Sequence, residues 1–210
     1  MAASALEIAV IDWWVYPAVL GGLVVVGWLV DVIVKGGIAT LILGDDGRTS
    51  TSKLQAALWT FAVLWALISL LAGAGVETFE KALSGEKLRE EYLLLLGGPF
   101  AAAIAAKGIT TKQKAADPAA KPDKLGKSTL AERVAEVISN DEGDVDLGDF
   151  QYAAFTLVTL TYFTWAFIKN PAAGLPPVPG TLLVLVGVSQ ATYVGKKGLL
   201  APGPAKTSQE

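Results

Sequence analysis

Amides and hydroxyls interrupt long apolar runs at Gln55, Thr60, Gln151, Thr156, Ser189, Gln190 and Thr192. None of these groups titrates near neutral pH, so the chemistry they offer is hydrogen bonding, without proton transfer or an activated nucleophile. An amide surrounded by lipid needs a partner, and a hydrogen bond between membrane helices contributes about 0.6 to 2 kcal/mol. Helix packing is therefore their expected role, and the sharper alternative is the polar lining of a pore. Asp31 is a carboxylate near the end of an apolar run, with Lys35 one turn away as its expected partner.

The chain has no cysteine and no histidine. That excludes disulfides, thiolate nucleophiles, zinc–thiolate sites, imidazole general bases and haem held by a protein histidine. Carboxylates cluster at Asp45 and Asp46, and again at Asp141, Glu142, Asp144, Asp146 and Asp149. Their spacing does not match an EF-hand loop, which places Gly sixth and a bidentate Glu later, so solvated turns and helix caps are expected in place of a cation site. No metal, cofactor or enzymatic activity is expected. A net charge of -3 gives no reason to expect a nucleic-acid partner.

The elements that must position these groups follow from hydropathy. Apolar residues make up 52% of the 210 residues, and the charges fall in the gaps between apolar runs. A membrane-spanning helix needs about 20 mostly apolar residues. Five segments approach that length, at residues 13–34, 54–76, 92–109, 150–168 and 181–199. The expected fold class is an all-α integral membrane protein with five transmembrane helices. The first 12 residues lack the basic start and small-residue cleavage pattern of a secretory peptide, so the first run is expected to stay as a helix. Basic residues concentrate at Lys35, Arg48, Lys53, Lys107, the segment 112–133, Lys196 and Lys197, which places these on the cytoplasmic side of a bacterial cytoplasmic membrane. The N-terminus is then outside and the C-terminus inside. Trp13, Trp14, Tyr16 and Trp165 fit an outer aromatic belt.

An internal repeat organises the chain. Leu41-Ile42-Leu43-Gly44-Asp45-Asp46-Gly47 aligns without gaps on Val137-Ile138-Ser139-Asn140-Asp141-Glu142-Gly143, and the same register carries Gln55 onto Gln151 and Thr60 onto Thr156. After a gap, Leu93-Leu94-Leu95-Leu96-Gly97-Gly98 meets Leu182-Leu183-Val184-Leu185-Val186-Gly187, and Lys107 meets Lys196. The reading is one N-terminal helix followed by two parallel-repeat hairpins. Its divisions are an outer N-terminus and first helix at 1–36, a first hairpin at 37–110, a cytoplasmic linker at 111–132, an amphipathic segment and second hairpin at 133–200, and a tail at 201–210. Parallel copies are expected to be related about an axis along the membrane normal, with Gly98 and Gly187 at close helix contacts. They lower the expectation of an alternating-access transporter, which favours inverted copies.

Ser50-Thr51-Ser52-Lys53-Leu54-Gln55, followed by Trp59-Thr60, together with Gly187-Val188-Ser189-Gln190-Ala191-Thr192-Tyr193, resembles a hairpin module that recurs in poorly characterised bacterial membrane proteins. The start stands in the first copy and the ending in the second. The first copy departs at its end, with Phe100 and Ala101 opposite Ser189 and Gln190. The second departs at its start, with Gly148 and Asp149. The resemblance covers about half the chain and implies a membrane module without implying a reaction.

Thr129 and Glu132 have capping-box spacing, and Leu130, Val134, Val137 and Ile138 share one helical face, which predicts a short amphipathic helix at the end of the linker. The function expected from these features is a non-enzymatic scaffold or anchor in the bilayer. Such a protein assembles with itself or with a larger apparatus, such as a secretion or contractile-injection machine. An oligomeric channel lined by Gln, Ser and Thr is the alternative.

Overall fold

A computed structural model describes residues 11–33, 38–44, 49–83, 90–116, 130–139 and 145–199. The described residues are almost wholly helical. Each apolar run is a helix: α1 (Val15–Ile33), α2 (Thr51–Leu83), α3 (Glu90–Ala116), α5 (Leu147–Lys169) and α6 (Gly180–Leu199), with the short α4 (Leu130–Val137) before α5. Lys35, Asp45, Asp46, Thr129, Asp141, Glu142, Asp144 and the tail lie outside the described residues.

Helix ends follow local chemistry. The Asp146 carboxylate accepts hydrogen bonds from the amides of Gly148 at 3.0 Å and Asp149 at 3.1 Å, so the acidic turn caps α5. α2 outruns its apolar segment and breaks at Gly75, whose φ of 80° favours glycine because a Cβ would be strained there.

The segments before α2 and α5 fold alike. Antiparallel bridges pair Leu43 with Thr49 and Ser139 with Val145. The Ser50 amide donates to Ile42 O at 2.8 Å, and the Asp146 amide donates to Ile138 O at 2.9 Å. Each of these pairs is in the register that aligns Leu41 with Val137.

Packing proceeds around a ring in which α2 touches α3, α3 touches α6, α6 touches α5, and α5 returns to α2; α1 lies against α2. α2 and α5 run in the same direction. Gln55 bonds to Thr156 near their starts, while Trp59 meets Phe163 and Trp65 meets Phe167 farther along. The helices that the sequence alignment pairs, α2 with α5 and α3 with α6, are neighbours around the ring and not diagonal to one another.

Aromatic rings fill the end of the ring away from Gln55. Tyr16, Trp59, Trp65, Tyr92, Phe163 and Phe167 pack there at centroid separations of 5.5 to 6.4 Å. Edge-to-face pairs add about 0.5–1.5 kcal/mol beyond area burial. The connection between α5 and α6 folds over this end, with Leu175 and Val178 buried. Tyr92 donates its hydroxyl to Pro176 O, and the Val178 amide donates to Glu91 Oε2 at 3.2 Å.

The outside of the molecule is greasy. Val24, Val25, Trp28, Val32 and Ile33 of α1 are exposed, as are Leu93, Leu94, Val184 and Val188 elsewhere. α1 and the segment Thr51–Glu80 of α2 are long and apolar enough to cross a membrane by length and composition. The apolar parts of α3 and α6, Glu91–Ala105 and Gly180–Thr192, are shorter. α5 is diluted by Thr156, Thr159, Thr161 and Thr164 and flanked by Asp149 and Lys169.

Candidate functional site

Three of the polar candidates meet at the seam between α2, α5 and α6. The Gln55 amide on α2 donates to Thr156 Oγ1 on α5 at 2.7 Å, and Gln190 on α6 donates to Gln55 Oε1 at 3.3 Å. Thr156 turns its own hydrogen back to Tyr152 O at 2.8 Å, which leaves its lone pairs to accept from Gln55. Gln55 is 2% exposed, so its amide exchanges no bonds with solvent. Glycine makes room on α3, because a Cβ at Gly98 would lie 2.7 Å from Gln190 Oε1. Two bonded glutamines therefore link four helices: Gln55 joins α2 to α5, and Gln190 of α6 joins it beside α3.

The other candidates stay outside this node. Ser189, Thr60 and Thr192 bond back to the carbonyls of Leu185, Ala56 and Val188 on their own helices. Ser189 is buried, while Thr60, Thr192 and Gln151 are exposed. Gly187 differs from expectation: it is exposed, and a Cβ there would meet nothing within 4 Å. It makes no close helix contact among the described residues.

A second polar cluster escaped the sequence reading. The Thr49 amide and hydroxyl both donate to Glu136 Oε2, at 3.0 and 3.1 Å, and the Thr51 hydroxyl donates to Val137 O at 3.0 Å. Glu136 is a buried member of α4, on a helix whose expected packing face was apolar. A carboxylate bonded twice by one residue ties the end of α4 to the turn before α2. The signal available was weak: Glu136 lies next to Val137, the first residue of the repeated motif.

Chemically, these clusters hold helices together. Among the described residues no group of three or more Asp and Glu side chains is arranged to hold a metal ion. Compared with known proteins, the chain finds no counterpart: no family model, no curated protein and no solved structure matches it.

Proposed function

We propose that this chain is a multi-pass membrane scaffold of the bacterial cytoplasmic membrane. Five helices cross the bilayer with the N-terminus outside, and the two hairpins are parallel copies of one module. In this reading the protein is no enzyme. It assembles with itself and anchors a larger membrane-associated apparatus, a secretion or contractile-injection machine being one such form.

The supporting observation is the spending of Gln55, Thr156 and Gln190 on one another. A pore lining turns its amides toward water, whereas here the donor and acceptor of Gln55 are both used to brace helices. Exposed valines and leucines around an aromatic and polar interior fit a lipid exterior, because lipid removes the cost that water would impose on such a surface. The matched turns before α2 and α5 support the parallel hairpins.

Recording from planar bilayers containing the purified protein tests the scaffold reading. A scaffold stays electrically silent at protein densities where particles are visible in the same membranes. Ion conductance that Gln190→Leu abolishes would establish the channel instead.

A further inference from the structure

Side-by-side packing leaves an open face at each end of the chain. Where the first hairpin is buried against the second, the aligned positions of the second hairpin are bare. Leu95 is 1% exposed and its counterpart Val184 is 63% exposed; Gln55 is buried and Gln151 is exposed. The relation reverses on the other side. Ser189 is 5% exposed and its counterpart Phe100 is 53% exposed; Thr156 is buried and Thr60 is exposed. Two hairpins related by a two-fold would bury the same face and close. A step exposes the front of the last unit and the back of the first, which is the geometry of a heterologous interface.

The two open faces carry one of the two hydrogen-bonding pairs of the closed seam, since Ala101 stands at the position aligned with Gln190. Thr156 donates to Tyr152 O and accepts from Gln55; Thr60 donates to Ala56 O, the aligned carbonyl, so its lone pairs are aimed for the same use. Gln151 supplies the matching amide on the opposite face. α1 leaves the Thr60 face uncovered, because it packs through Tyr16 on Trp65, about 140° around α2 at about 100° per residue.

We infer that a second copy of this chain seats its Thr60 and Phe100 face on the Gln151, Val184 and Val188 face of the first, so that Gln151 bonds to Thr60 between copies as Gln55 bonds to Thr156 within one. The inference deepens the scaffold reading and rests on it. A second copy is the fitting occupant because it continues an interface the chain already makes with itself, and because its Thr60 offers the exposed Gln151 amide the acceptor that Gln55 finds in Thr156. Repetition of one step in the membrane plane gives a ring when the rotation closes and an open array when it does not.

Cross-linking decides the matter, since the chain has no cysteine of its own. Differently tagged chains carrying Thr60→Cys or Gln151→Cys are co-expressed and treated in membranes with a short thiol-reactive cross-linker. The expected products are mixed dimers carrying both tags, and a ladder of multimers when both cysteines are on one chain. Like-with-like Gln151→Cys dimers exceeding the mixed ones would overturn the inference in favour of a two-fold contact. Absence of mixed dimers would overturn it as well. Particle mass in lipid nanodiscs provides an independent reading: wild type is expected as a multimer and Val188→Trp, which crowds the exposed face, as a monomer still helical by circular dichroism. A monomeric wild type would overturn the inference, while electrical silence of the same sample would leave the scaffold reading standing.

Discussion

Gln55 and Thr156 are joined across the seam between α2 and α5 by a 2.7 Å hydrogen bond deep in the helix ring. Gln55→Leu removes that bond and the one from Gln190, and should cost about 0.6 to 2 kcal/mol. The check is the melting midpoint in detergent against Thr161→Val, which changes an exposed hydroxyl bonded only to its own helix. Equal midpoints for the two variants would contradict the bracing role.

The two aligned glycines should behave differently. Gly98→Leu drives a side chain into the Gln190 amide and should destabilise the fold by about 1–3 kcal/mol. Gly187→Leu adds its side chain to open space and should leave the melting midpoint of the detergent-dispersed monomer within error of wild type. Circular dichroism melts of both variants make the comparison.

At the other cluster, Glu136→Ala deprives the Thr49 amide and hydroxyl of their acceptor. Hydrogen bonds to a charged group contribute about 1.5–3 kcal/mol each in stability terms, so the turn before α2 should open locally. Hydrogen exchange is the direct readout. The Thr49 amide should exchange faster by at least tenfold, and amides in the middle of α2 should not change.

Ser69 offers a change in the opposite direction. Its hydroxyl is fully buried beside the aromatic core and has no partner among the described residues. Ser69→Ala removes an unsatisfied polar group whose burial costs about 1–3 kcal/mol, so the melting midpoint should hold or rise. A clear fall would mean that the hydroxyl is bonded in the folded protein.

The five helices were legible because each apolar run is long and is bounded by charge, glycine or a capping residue such as Asp146. The break at Gly75 was not, because the apolar pattern continues past it to Val76 without interruption. The polar candidates were legible as a set, but their pairing was not. Gln55 and Gln151, like Thr60 and Thr156, are the same residue types at aligned positions, and only the order of helices around the ring decides which of each pair is inside. The same reason placed Gly98 against Gln190 and turned Gly187 outward. Glu136 was missed because a carboxylate on a short helix reads as solvated until a partner distant in sequence, here Thr49, is brought to it.

Accessibility of single cysteines in intact cells tests the central claim of a five-span membrane protein with parallel hairpins. Lys87→Cys and Ala173→Cys, in the connections that follow α2 and α5, should react with a membrane-impermeant maleimide. Ser128→Cys and Ser208→Cys should react only after the cells are permeabilised. Labelling of Ser128→Cys in intact cells, or of only one of the pair Lys87→Cys and Ala173→Cys, would contradict the claim.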